Sequence, residues 1–193
     1  MNIVIIDYGA GNVTSVQNTF ERLNINTTLS KNANEILAAD KVIFPGQGEA
    51  RYAMEQLEKY NLIDLIKNLT QPVLGICIGM QLLGSYSEER ETVGLGIIPT
   101  EVKKFNISKS VPHMGWNNIE TKDSLLKEFN DSYFYFAHSY YMPVNEYTIA
   151  KSSHEIEFSS VVRKDNFFGC QFHPEKSSAE GDKFIQTFIN LNS

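Results

Sequence analysis

Short solid apolar runs alternate with helically spaced ones through the first half of the chain. Ile3 to Asp7 is nearly all apolar, the pattern of a strand buried on both faces of a parallel sheet. Gly9 and Gly11 break it, and Val13, Val16, Phe20 and Leu23 then share one face of a helix expected over Val13 to Leu23. Lys41 to Phe44 reads as a second buried strand, stopped by Pro45-Gly46-Gln47-Gly48. A helical pattern follows from about Glu49 to Leu69, broken near Asn61. Pro72 to Ile76 is a third apolar strand, running directly into Cys77 and a helix-like segment, Gly79 to Tyr86. Strand, glycine-rich turn and helix in succession specify an α/β fold with a mostly parallel central sheet.

The second half has a different texture. Between about Val93 and Gln171 lie short β-rich runs such as Tyr133 to Phe136 and Tyr147 to Ala150, with Ser124 to Glu128 as a helix candidate. They are expected to be antiparallel additions to the central sheet. A final amphipathic helix, Ala179 to Leu191, turns Phe184, Ile185, Phe188 and Ile189 inward. No repeat, low-complexity tract or Gly/Ser linker divides the chain, so residues 1–193 read as one domain.

A chain of 193 residues buries roughly 70% of its unfolded surface and needs no staple. Its net charge of −6 argues against nucleic acid as a partner, which would demand a basic face. Two cysteines, Cys77 and Cys170, are too few for a disulfide framework. The N-terminal run lacks the basic residues of a signal peptide, and no stretch approaches the ~18 apolar residues of a membrane helix. A cytoplasmic location away from membranes is expected.

Gly75-Ile76-Cys77-Ile78-Gly79 sits where a buried strand meets a helix. It is the thiol counterpart of the nucleophile elbow. Such a tight turn requires neighbours without bulk two residues away. The following helix points free N–H groups at the sulfur, and the Ile78 N–H is placed to bond a developing oxyanion. By itself the elbow is equally compatible with a small buried thiol.

A base is needed, and His173 lies in Phe172-His173-Pro174-Glu175, just past the apolar strand Phe167 to Phe172. Strand ends are where such sheets present reactive groups. In extended geometry Glu175 points the same way as His173 and can hold its imidazole. A surface His-Pro turn is the rival reading, but both motifs together are less expected by chance than either alone. His154 reads as part of a solvent loop and Cys170 as core. No Cys/His cluster has metal-ligand spacing, so no metal is expected. Gly9-Ala10-Gly11-Asn12 lacks the spacing of a phosphate loop.

Gly75-Ile76-Cys77-Ile78-Gly79-Met80-Gln81 together with His173-Pro174-Glu175 resembles the class I, or triad, glutamine amidotransferases. Asp7-Tyr8-Gly9-Ala10-Gly11-Asn12, Pro45-Gly46-Gln47-Gly48, Pro112-His113-Met114-Gly115-Trp116-Asn117, His138-Ser139-Tyr140 and Lys176-Ser177 resemble one branch, the glutaminase subunits of imidazole glycerol phosphate synthase, from end to end. The resemblance implies a flavodoxin-like or α/β-hydrolase-like sheet and no cofactor. It also implies hydrolysis of glutamine through a thioester on Cys77, with His173 and Glu175 completing the triad. Gly46, Gln47, Gly48, Ile78, Gln81, Ser139 and Tyr140 would bind glutamine. Asn12, Met114, Trp116, Tyr135 and Lys176 would form the interface and ammonia gate toward a barrel-shaped cyclase subunit in a heterodimer. Residue by residue, two of these have plain structural alternatives: Trp116 as core and Asn12 as a helix N-cap. Gln47 stands where the branch usually has valine, in a turn whose backbone N–H serves the oxyanion. Two other functions remain open from sequence: a glutaminase for a different synthase, and a flavodoxin-like protein whose elbow thiol senses oxidants.

Overall fold

Along the chain, the computed structural model of residues 1–10, 12–46 and 48–191 runs β1 (Ile3–Ile6), α1 (Val13–Arg22), β2 (Thr27–Ser30), α2 (Ala33–Leu37), β3 (Lys41–Gly46), α3 (Ala50–Lys59) and α4 (Ile63–Lys67). It continues with β4 (Val73–Cys77), α5 (Ile78–Leu82), β5 (Tyr86–Ser87), β6 (Thr92–Val93), β7 (Glu101–Lys104), β8 (His113–Asn118) and β9 (Tyr133–His138). The last elements are β10 (Tyr140–Tyr141), β11 (Thr148–His154), β12 (Ile156–Lys164), β13 (Phe167–Cys170) and α6 (Ser178–Ile189).

The central sheet has seven strands in the order β11-β12-β13-β4-β3-β1-β2. From β2 to β13 all neighbours are parallel, and β12 and β11 extend the sheet antiparallel. The solid apolar runs became β1, β3 and β4, each buried at every position, as interior strands of a parallel sheet require. In register, Gly46 of β3 lies opposite Cys77 of β4, so both strands deliver their C-terminal ends to one place.

Several elements differ from expectation. The run Tyr133 to Phe136 does not join the central sheet: as β9 it pairs with β8 in a separate two-stranded ladder. Phe134 and Phe136 are buried while Tyr133 is exposed. One face of the ladder therefore packs on the core, with Phe134 stacked on Phe172 at 4.1 Å between ring centroids. A smaller sheet, β10-β7-β5-β6, forms beside it. The β2–α2 unit carries little hydrophobic signature because β2 is an edge strand with only Ser30 buried. Its helix nevertheless carries a cap signal: Asn32 accepts from the N–H groups of Asn34 and Glu35. Between α3 and α4, Asn61 takes the left-handed conformation, φ 54°, which is the break expected there. The Ser124 to Glu128 candidate is reduced to a 3-10 turn at Lys127–Phe129, because Asp123 draws the Leu125 and Leu126 N–H groups into a local turn.

α5 also stops at Leu82 rather than reaching Tyr86. The carbonyls of Leu82 and Leu83 accept from Leu95 and Ile98 of a crossing loop instead of from the next helical turn. α6 buries Phe184, Ile185 and Phe188 as expected, with Ile189 partly buried against the core. No described helix is long and apolar enough to cross a membrane.

Candidate active site

Cys77 ends β4 with φ 53° and ψ −108°, a left-handed backbone that costs on the order of 1–3 kcal/mol for a non-glycine residue. Close packing on either side holds it there. A Cβ at Gly79 would lie 2.0 Å from the Phe44 carbonyl oxygen, and one at Gly75 would lie 2.8 Å from the Met80 nitrogen. The first turn of α5 thus rests directly on the backbones of β3 and β4, and only glycine permits that approach. As the first residue of α5, Ile78 has an N–H with no acceptor inside the helix. Cys77, Ile78 and Gln81 line a cavity of about 220 Å3 together with Gly48, Tyr140 and His173. That volume lies below the roughly 300–1,000 Å3 of drug-sized pockets and suits an amino-acid-sized molecule.

The Nδ1 of His173 lies 2.8 Å from Glu175 Oε1. The pairing does not use an extended strand as expected: Pro174–Lys176 is a 3-10 turn with His173 at its N-cap. Pro174 occupies a first-turn position, where its missing N–H costs nothing. Burial pulls the His173 pKa down, but the charges and hydrogen bonds of Cys77 and Glu175 outweigh it and raise it to about 10. The imidazole is therefore disposed to be protonated when the thiolate faces it. Ser177 locks the turn from behind, donating to the His173 carbonyl at 2.6 Å and accepting from the Tyr135 N–H at 2.9 Å. A thiol, an imidazole and a carboxylate in this order beside a small cavity can carry out acyl transfer.

A pair of buried amides, Gln171 and Gln81, also stands at the sulfur's side of the cavity. Gln171 Nε2 donates to Cys77 Sγ at 3.7 Å. Gln81 Nε2 donates to Gln171 Oε1 at 3.0 Å and to the Tyr140 carbonyl at 2.9 Å. Gln81 Oε1 is buried without a partner among the described residues. Glu89 enters the same cavity and accepts from the Ala50 N–H at the start of α3, 2.7 Å away. Burial raises the Glu89 pKa, partly countered by that hydrogen bond. Neither Gln171 nor Glu89 was singled out from sequence. Gln171 had a signal, a lone amide inside the apolar run Phe167 to Phe172 and two residues before His173. Glu89 sits in a polar segment with none.

Tyr8 is a third unforeseen participant. It is fully buried and donates from its hydroxyl to the Pro45 carbonyl at 2.8 Å. It thereby ties the loop after β1 to the residue preceding Gly46. Burial, then the charge of Cys77, keeps this phenol strongly protonated.

Of the residues expected at the site, Gly48, Cys77, Ile78, Gln81, Ser139, Tyr140 and His173 line the cavity, and Met114 and Lys176 stand at it too. Gly46 ladders with Cys77. Gln47 lies outside the described residues. Asn12 caps α1, its side chain accepting from Ser15 N–H at 3.3 Å, which is its structural alternative. Trp116 is not core: it is 53% exposed, beside Met114 at 64%, and meets Tyr135 edge to face at 6.2 Å. His154 is not in a solvent loop either; it ends β11 and stacks on His113 at 4.2 Å. Cys170 is core, and burial, reinforced by the charges of Glu175 and Cys77, holds its thiol protonated.

Comparison with known proteins follows the same lines. The family model described as glutamine amidotransferase class-I matches residues 4–191. Curated relatives include the imidazole glycerol phosphate synthase subunit HisH of Idiomarina loihiensis, 46% identical over 99% of this chain and 98% of the relative. That of Salmonella typhimurium is 47% identical over 99% of this chain and 100% of the relative. Among solved structures, one described as a glutamine amidotransferase superposes with a TM-score of 0.76, covering 96% of each chain at 16% identity. The PurLQS structure from Thermotoga maritima gives 0.73 over 98% of this chain and 97% of that chain at 15% identity. At those identities the superpositions speak for the fold alone, whereas the family model and the relatives span the elbow and the His-Pro-Glu turn together: the chain belongs to the class-I glutamine amidotransferase family.

Proposed function

We propose that the chain is the glutaminase subunit of an imidazole glycerol phosphate synthase, releasing ammonia from L-glutamine for the histidine pathway. The observation that carries this reading is the Cys77–His173–Glu175 arrangement at a cavity of amino-acid size. Support for the branch comes from end-to-end likeness to HisH subunits.

The Cys77 thiolate attacks the carboxamide carbon of glutamine. The resulting oxyanion is met by the Ile78 N–H and a backbone N–H near Gly48. His173 donates its proton to the departing ammonia, leaving a thioester. It then removes a proton from water, whose hydroxide attacks the thioester carbonyl and frees glutamate and the thiol. Glu175 holds the ring by its Nδ1 and stabilises the imidazolium. At the other end of the substrate, Gln81 Oε1 and the Glu89 carboxylate accept from the α-ammonium group, with Ser139 and Tyr140 closing the wall. Gln171 lends the sulfur a weak donor.

Ammonia then passes to a separate barrel-shaped cyclase in a cytoplasmic heterodimer, with residues 1–193 acting as one domain. Met114, Trp116, Tyr135 and Lys176 face that partner, and Asn12 lies at its edge.

Co-purification with the cyclase and a glutamine-dependent synthase assay tests the proposal. Glutaminase turnover is expected to be very low alone and to rise by orders of magnitude with the cyclase and its nucleotide ligand. Full turnover by the isolated chain would refute the coupled reading. Failure of a glutamine-like electrophile to label Cys77 would refute the glutaminase itself.

A further inference from the structure

Two histidines that the triad does not use, His113 and His138, are buried beside the glutamine cavity, and their hydrogen bonds form a line with one possible direction. At its inner end, His138 Nδ1 lies 2.8 Å from the Tyr140 carbonyl. A carbonyl only accepts, so Nδ1 carries the proton and Nε2 of a neutral ring is an acceptor. His138 Nε2 lies 3.0 Å from His113 Nδ1, which must then be the donor. That leaves His113 Nε2 to accept from Asn117 Nδ2 at 3.3 Å.

The outer end fixes the same direction independently. Asn117 Oδ1 accepts from the Asn118 N–H at 3.0 Å and Nδ2 donates to the Ser153 carbonyl at 3.0 Å, so backbone groups settle the amide's orientation. Asn117 to His113 to His138 to the Tyr140 carbonyl is a chain of donors in which both rings are neutral. An added proton on His138 would set two N–H groups face to face at the His–His contact, and one on His113 would do the same against the Asn117 amide.

The Tyr140 carbonyl is also where Gln81 Nε2 donates. With its second hydrogen on Gln171 Oε1, the Gln81 amide nitrogen is fully used. Its oxygen is the atom left over. A reversed amide would offer the substrate's ammonium an NH2 group instead of an acceptor.

We propose that His113 and His138 are positioning residues for glutamine: their hydrogen-bond chain anchors the Tyr140 carbonyl that orients the Gln81 amide, and links that amide to the β8–β9 ladder. This rests on reading Gln81 as a glutamine ligand. The ladder is suited to the task because side chains alternate along β8. His113 points inward while Met114 and Trp116 stand exposed, so one strand carries an outer apolar face and an inner polar wire. The surroundings keep the wire neutral. Burial, then the charges of His154 and Lys109, lowers the His113 pKa to about 4. Burial lowers that of His138 to about 3, against the Tyr140 hydrogen bond and helped by His113, His154 and His173.

Glutamine affinity measured by calorimetry in a Cys77→Ala background, which cannot turn over, tests this directly. Adding His138→Leu is expected to weaken binding about tenfold, the effect of one lost hydrogen bond to a buried group. His138→Asn, which restores a donor toward Tyr140, should recover most of it. In the active chain His138→Leu should raise KM with little change in kcat. Unchanged affinity in His138→Leu, while Cys77→Ala binds normally, overturns the positioning role and leaves the glutamine site standing. No glutamine binding by Cys77→Ala itself overturns both. Nitrogen-15 NMR of the unaltered chain reads the wire without any variant. His138 should show a neutral Nδ1–H ring that does not titrate between about pH 5 and 8. An Nε2–H ring, or titration in that range, refutes the assignment.

Discussion

Gly79→Ala tests the claim that Cys77 owes its geometry to backbone contact between α5 and β3. The added methyl carbon would lie 2.0 Å from the Phe44 carbonyl oxygen and 3.0 Å from the Phe44 carbonyl carbon. Contact with a carbonyl oxygen is comfortable only beyond about 3.3 Å, so more than an ångström must be found. Both obstacles are backbone, and Phe44 is a fully buried residue of a central strand. No side-chain rotation can relieve the clash; α5 must move. Overpacking of this kind costs about 1–3 kcal/mol and occasionally more, and here the upper end is expected. Gly96→Ala is the control. It has no atom within 4 Å of its Cβ but φ +69°, so backbone strain alone should cost about 1–2 kcal/mol. Urea unfolding would show a lower midpoint for Gly79→Ala at unchanged slope. Because α5 carries Ile78 and Gln81, glutamine turnover and electrophile labelling of Cys77 should fall sharply even where the variant is folded, whereas Gly96→Ala keeps both. A Gly79→Ala protein within about 0.5 kcal/mol of the parent and with full turnover would refute the argument.

Tyr8→Phe removes only a hydroxyl, and the lost bond to the Pro45 carbonyl should cost about 1 kcal/mol in unfolding free energy; an unchanged urea midpoint would mean the contact contributes nothing. Glu175→Gln keeps the volume but removes the charge beside His173, and kcat should drop about 10²–10⁴-fold while the histidine pKa, followed by NMR, falls from about 10. Acid should destabilise the chain through His113 and His138. Their folded pKa values of about 4 and about 3 lie below the unfolded 6.5, so their contribution is complete above that value. It is lost as pH falls toward the folded values, by about a few kcal/mol for each ring at most. His173 has the opposite sign: its contribution is full below 6.5 and lost as pH rises through about 10. Thermal unfolding across both ranges, with and without His173→Ala, checks the two limbs.

How far the fold could be read depended on whether an element buried itself locally or by assembly. β1, β3 and β4 announced themselves because an interior strand must be apolar on both faces, and the elbow because two glycines bracket a cysteine at a strand end. β2 did not, since an edge strand needs only one buried residue, Ser30. The placement of β9 was invisible for another reason. Alternating aromatics suit either an added sheet strand or a face-packed hairpin, and the choice is made by Phe172, which stacks on Phe134, and Phe184, which meets it edge to face, both from distant parts of the chain. In the site, Cys77, His173 and Glu175 were legible because their chemistry demands adjacency in short motifs. Gln171 is partly so, while Glu89 reaches the cavity from a kinked 3-10 turn, Glu89–Glu91, whose positive-φ residues, Arg90 and Glu91, no pattern indicates. His138 and His113 could be seen as histidines, but their pairing depends on the β8–β9 register, which sets them opposite each other.

That register also explains why the two halves of the site do not stand as independent parts. The His173 N–H donates to the Tyr135 carbonyl of β9 at 2.9 Å, and Ser177 ties the Tyr135 N–H to the same turn. Three residues further along β9, His138 holds the Tyr140 carbonyl and through it Gln81. The His173 turn and the Gln81 amide therefore hang from one strand, by hydrogen bonds that are mostly to backbone. Side-chain truncation on the outer face, at Met114 or Trp116, leaves those bonds intact, whereas a shift of the ladder as a body changes both at once. Under the proposed function, a partner seated on the exposed Met114–Trp116 face would act on the ladder as a body. Such a device would couple docking to catalysis without requiring the partner to touch Cys77, and its mechanical link would be β9 rather than the elbow, where α5 packs directly on the β3 backbone.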